Sequence, residues 1–210
     1  MNKPGFFALH RFASPCLTVL AACLLLAPAA ANATPYVVKM VQQGGNVVAT
    51  GSGALDLTGL NFLYATQVTN GLWPGTAFIT TGIYDSFDDE VDKYSGSITG
   101  PTNFGSGTSI FVITEGNGDV VSISRIDLLG NIYVPSGYVF GTALAGSAAW
   151  NNASFASLGV TPGTYKWTWG SGAEQSFTLR IAVSEPAALG VFGLGVLLIG
   201  AFVGLRRRVA

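Results

Sequence analysis

The chain has 210 residues, ten basic against eleven acidic side chains, a net charge of −1, and a charged fraction of only 10%. Its two cysteines, Cys16 and Cys23, and its one histidine, His10, all lie near the N-terminus. Beyond Cys23 there is nothing to build a disulfide, a cysteine nucleophile, a His-based triad or an ordinary zinc or copper site.

In chain order, Lys3, His10 and Arg11 precede an apolar stretch from Cys16 to Leu26 and then Ala31-Asn32-Ala33. A basic region, an apolar region and a small-x-small site in that order predict a secretory signal peptide over 1–33. Cleavage after Ala33 leaves Thr34 as the first residue. Leu20-Ala21-Ala22-Cys23 also fits a lipoprotein box with Cys23 as the lipidated residue. Leu24-Leu25-Leu26 follows it directly, and the Ala31/Ala33 site then has no role, so ordinary cleavage is the favoured reading.

Residues 34–183 are one domain's length, enough for a substantial core. From Thr34 to Pro186 there are five basic side chains (Lys39, Lys93, Lys166, Arg125, Arg180) against eleven acidic, a net of −6. That balance argues against a nucleic-acid partner, which needs a basic face. Short runs of Val, Ile, Thr, Tyr, Phe and Trp, cut by Gly, Asn, Pro and Ser, predict an all-β domain, a jelly-roll-like β-sandwich with a closed barrel as the alternative. The expected strands are Tyr36–Gln42, Gly53–Thr58, Thr76–Thr81, Ser109–Thr114, Val120–Ile126, Asn131–Val134, Tyr138–Thr142, Thr164–Trp169 and Gln175–Val183. Turns are expected at Gly44-Gly45-Asn46, Trp73-Pro74-Gly75, Pro135-Ser136-Gly137 and Thr161-Pro162-Gly163, and a tight hairpin at Asn117-Gly118. No segment holds a 3.6-residue period over three turns.

Two groups of side chains in this domain suggest chemistry. Asp85, Asp88, Asp89, Glu90 and Asp92 gather five carboxylates in eight residues, a possible oxygen cage for Ca2+. The spacing fits no EF-hand, and the alternative is a solvated acidic loop. Crowded carboxylates on one loop are the wrong arrangement for a glycoside hydrolase, which needs two across a cleft. Tyr165, Trp167 and Trp169 fall on one face of a strand. Exposed, with Trp150 nearby in sequence, they would form a carbohydrate platform; turned inward, they would be core, leaving Lys166 and Thr168 in water.

The last segment, 184–210, reads Ser184-Glu185-Pro186, then nineteen uncharged residues at 187–205, then Arg206-Arg207-Arg208. At ~1.5 Å per residue the uncharged run spans about 28 Å, close to one hydrocarbon core. It predicts a transmembrane helix with the arginines on the cytoplasmic side and the domain outside. Gly200 and Gly204 form a small-xxx-small pair of the kind that can dimerise membrane helices.

A Glu-Pro set directly before the span is not needed by an anchor. The tail resembles the PEP-CTERM sorting signal of Gram-negative bacteria: a Pro-Glu-Pro-like motif, a glycine-rich span and a terminal arginine cluster. Ser184 stands where that motif has its first proline; Glu185 and Pro186 match. The resemblance implies sorting by exosortase, a membrane protease-transpeptidase acting near the motif. Parts of the domain also resemble a recurring ectodomain of such proteins: Ala49-Thr50-Gly51-Ser52-Gly53, Gly100-Pro101-Thr102-Asn103-Phe104-Gly105, Pro135-Ser136-Gly137-Tyr138 and the run 155–170. That ectodomain implies no defined activity. The resemblance therefore implies an exosortase substrate with membrane and exopolysaccharide as partners; the absent His and Cys make the expected protein a non-enzymatic, structural or adhesive surface or extracellular-matrix component, with no cofactor unless the acidic cluster holds Ca2+. The alternatives are a carbohydrate-binding module and a permanently membrane-anchored periplasmic protein.

Overall fold

The β-prone runs form thirteen strands in the computed structural model, which describes residues 34–84, 90–126 and 129–183. They are β1 (Tyr36–Gln43), β2 (Asn46–Gly53), β3 (Asn61–Thr66), β4 (Gly71–Trp73), β5 (Phe78–Thr81), β6 (Val91–Ser95), β7 (Phe111–Val112), β8 (Glu115–Gly118), β9 (Val121–Ser124), β10 (Asn131–Pro135), β11 (Leu144–Trp150), β12 (Gly163–Thr168) and β13 (Ser176–Val183). A six-stranded sheet has the order β12-β13-β1-β2-β11-β8, and a seven-stranded sheet β3-β6-β10-β9-β5-β4-β7. The fold is all-β, as the composition implies. The expected signal segment 1–33 and the expected sorting tail 184–210 lie outside the described residues, as do Asp85, Asp88 and Asp89.

Alternation sets what each strand buries. In β1, Tyr36, Val38 and Met40 are fully buried while Lys39 points to water, and in β13 Phe177, Leu179 and Ile181 alternate with exposed Arg180. Side chains of period two put one set on one face, and burying that set drives the strand onto the core. One cluster of buried residues draws on both sheets, from Val38 and Leu179 to Ile79, Ile123 and Ile132. A polar tie crosses the same cluster. The Tyr36 hydroxyl donates to Thr81 Oγ1 at 2.8 Å, and Thr81 in turn donates to the Val121 carbonyl at 3.4 Å. Burial holds the Tyr36 phenol far above its ordinary pKa, so it remains a neutral donor.

Strands β1 and β2 form a two-residue hairpin at Gly44-Gly45, with Gln43 opposite Asn46 and Gly44 at φ 59°. The Asn117-Gly118 hairpin does not form. Those residues belong to β8, where Asn117 pairs with Ser147 and Gly118 with Gly146, because β11 offers a full ladder that a local turn would forfeit. Two expected strands are also replaced. Residues 54–60 and 136–143 are loops tied to each other: the Tyr138 hydroxyl accepts from the Leu55 amide at 3.0 Å and donates toward the Thr142 and Leu55 carbonyls at 2.9 and 3.1 Å. The one α-helix among the described residues, α1 (Phe155–Leu158), is a single turn, capped by reciprocal Ser154–Ser157 bonds and by Gly159 at φ 65°.

One pairing breaks the antiparallel pattern. β1 and β13 run parallel, with Tyr36 beside Phe177 and Gln42 beside Val183. The first and last strands are therefore neighbours, and β13 lies between β12 and β1 rather than at an edge.

Candidate functional site

The tryptophans do not form a platform. Trp167 is fully buried and edge-on to Phe177 at 5.9 Å, and Trp169 is only 8% exposed. Their indole N–H groups donate to loop carbonyls, Trp167 to Pro101 and Trp169 to Asp56, both at 2.7 Å. Trp150, also buried, donates to the Phe111 carbonyl at 3.0 Å. Tyr165 is half-buried, edge-on to Phe104 at 6.0 Å, with its hydroxyl on the Thr161 carbonyl at 2.9 Å. Lys166 takes the solvent side, as the inward alternative requires. The reason is area: rings of this size contribute most when removed from water, and β12 offers them the core face.

The acidic cluster is described only at Glu90 and Asp92. Glu90 is exposed, while the Asp92 carboxylate accepts from the Ser136 hydroxyl at 2.8 Å and the Gly137 amide at 3.0 Å. Asp92 thus staples the turn after β10. No group of three or more potential metal-binding side chains occurs among the described residues. No helix among them is long and apolar enough to cross a membrane, and the span at 187–205 lies outside them.

An open depression of about 250 Å³ lies over β2, β8 and β11, lined by Val48 and residues 115–117 and 147–149. Its one charged side chain, Glu115, already accepts from Asn151 Nδ2 at 2.6 Å.

The exposed aromatic surface lies instead at the β3 margin of the seven-stranded sheet. On the core face a cross-strand row runs Ile79, Ile123, Ile132, Tyr94, Phe62. The three isoleucines are fully buried, Tyr94 is half-buried and Phe62 is 54% exposed. The row therefore passes out from under its cover. The loop after β10 partly covers its end, with Phe140 edge-on to Tyr94 at 5.9 Å, while Phe140 and Val139 themselves remain 43% and 66% exposed. Burial, with a smaller push from Asp92, raises the Tyr94 phenol above its ordinary pKa.

The opposite face carries the row Tyr133, Lys93, Tyr64. Lys93 Nζ lies 5.5 Å from the Tyr64 ring and 5.8 Å from the Tyr133 ring, within cation–π range. A bulge between Phe62 and Tyr64 puts these residues, two apart, on opposite faces. Without the extra residue Leu63 they would share one.

None of these residues stands out in the sequence. Asn61–Thr66 does not alternate between polar and apolar, because neither of its faces is fully covered. Its one signal is an uncharged β-prone run between Gly59 and Gly71. The chain matches no known family model, no curated protein and no solved structure.

Proposed function

We propose that this is an exported, non-enzymatic surface or matrix protein, built as a β-sandwich whose two sheets share one core, and released from its membrane tail by exosortase. The observation that carries the reading is the paired core strand that immediately precedes the motif. Val183 is the last residue of β13 and pairs with Gln42, and the Ser184-Glu185-Pro186 motif follows at once. A cut at the motif leaves every described pair of β13 intact. The acidic, thiol-free domain and the exposed aromatic margin support a structural or adhesive role rather than a catalytic one. Mass spectrometry of the mature protein from its own host tests this. The expected chain begins at Thr34 and ends near the motif. An intact C-terminus at Ala210 would establish the permanently anchored alternative, and an N-terminus at Cys23 would establish lipidation.

A second reading is carbohydrate binding, moved from the tryptophans to the Tyr64–Lys93–Tyr133 row. Aromatic rings stack on sugar faces, and the ammonium between them donates to hydroxyl or carboxylate oxygens. Affinity electrophoresis in host exopolysaccharide should show retardation that Tyr64→Ala and Lys93→Ala abolish. Unretarded wild-type protein would end this reading.

A further inference from the structure

A β-sheet edge presents a row of unpaired amides and carbonyls, and natural proteins protect such edges with charges, prolines, bulges, brevity or a covering segment. Three of the four edges here are protected. β7 has two residues and β8 four, and they belong to one run of chain, Phe111–Gly118, that passes from one sheet to the other and closes that side. β12 is bridged at its end by the reciprocal backbone bonds of Thr99 and Thr168 at 2.8 and 2.9 Å, and it carries Lys166.

Among the described residues β3 has one such protection, the bulge at Leu63. It is six residues long, holds no charge and no proline, and is exposed along almost all its length. Among the described residues no backbone hydrogen bond other than its ladder to β6 reaches it. Phe62, Leu63 and Tyr64 are 54%, 45% and 52% exposed, and Val139 and Phe140 extend the apolar surface beside them. The bulge at Leu63 is the one irregularity, and it leaves Tyr64, Ala65 and Thr66 as a regular ladder.

We propose that the outer edge of β3 pairs antiparallel with the same edge of a second copy, forming a closed twofold dimer in which two seven-stranded sheets become one. A second copy is the occupant because an edge strand in antiparallel register is its own complement: each copy's amides meet the other's carbonyls. Two domains of like net charge would repel, but the seam itself is uncharged, and the nearest charges, Asp92 and Lys93, lie one strand in on opposite faces of the sheet. Because the other three edges are protected, pairing stops at two copies and does not run on into a filament. The inference does not depend on exosortase sorting or on carbohydrate binding.

The test uses the full chain purified in detergent, with Cys16 and Cys23 replaced by serine. Light scattering coupled to size exclusion should give twice the protein mass of one chain. Leu63→Lys and, separately, Ala65→Lys should halve it with the β-sheet circular dichroism unchanged, while Gly200→Leu in the tail should leave it doubled. Single cysteines placed in turn from residue 61 to 66 should yield disulfide-linked dimers only at the position nearest the twofold axis, falling away to either side, and Thr164→Cys on β12 should yield none. A wild-type mass of one chain would overturn the proposal. So would a dimer that survives both lysine variants, a dimer lost in Gly200→Leu, or cross-linking as efficient at Thr164→Cys as on β3.

Discussion

Gly51→Ala should destabilise the domain through one atom, the hydroxyl oxygen of Tyr36. Gly51 sits in β2 without a positive φ, so alanine is compatible with its backbone. The cost is steric: an added Cβ would lie 2.1 Å from Tyr36 Oη, 2.7 Å from Cζ and 3.0 Å from Thr81 Oγ1. Tyr36 cannot easily withdraw, being fully buried, packed on Phe177 at 5.4 Å and bonded to Thr81. Overpacking of this kind costs about 1–3 kcal/mol, and the upper end applies where the neighbour is held on several sides. Tyr36→Phe alone should cost about 1 kcal/mol, the net value of the hydrogen bond to Thr81. The double variant removes the nearest obstacle while leaving Cζ close, so it should be about 1–2 kcal/mol more stable than the sum of the single effects. Urea unfolding followed by the fluorescence of the four tryptophans, Trp73, Trp150, Trp167 and Trp169, reads all three variants. Additivity within about 0.5 kcal/mol would refute the reasoning, since it would mean the hydroxyl does not block the methyl.

Tyr36 also sets an alkaline limit. Its folded pKa is raised by burial, so its contribution is intact below the unfolded phenol value of about 10 and is lost as pH rises beyond it. Melting temperature should therefore fall above that pH, and less steeply in Tyr36→Phe; an identical slope in the variant would assign the loss elsewhere. Trp167→Ala empties a fully buried site and should cost about 3–5 kcal/mol, a large share of the ~5–15 kcal/mol available to a domain. A variant as stable as wild type would contradict the burial. Asp92→Ala frees Ser136 and Gly137 and should cost about 1 kcal/mol in calcium-free buffer. A loss seen only when calcium is present would point back to a metal role for the carboxylate.

Several parts of this structure were legible in the residues alone. β1, β5, β9, β10, β12 and β13 fall where β-branched and aromatic runs alternate or are closed off by turn residues, and local chemistry there agrees with the fold. β2 and β11 were not: in β2 the β-prone Val47, Val48 and Thr50 are broken up by Ala49 and Gly51, and Ala145-Gly146-Ser147-Ala148 in β11 is weakly β-prone, so neighbouring strands complete both ladders. The runs 53–58 and 138–142 erred in the other direction. Each has the composition of a strand, but Leu55, Leu57 and Tyr138 spend it on loop-to-core and loop-to-loop contacts.

The sequence by itself determined the all-β class and the acidic, cysteine-free character of residues 34–183. These depend on composition and on linear order, which need no partner residue to be read. Tertiary structure decided which aromatic rings water can reach. Trp167 and Trp169 went inward because β12 offers them a core face, and Phe62 and Tyr64 stayed outside because the seven-stranded sheet extends past its cover at β3. Which face of a strand is buried is settled by what packs against it, and that neighbour can be a hundred residues away in the chain.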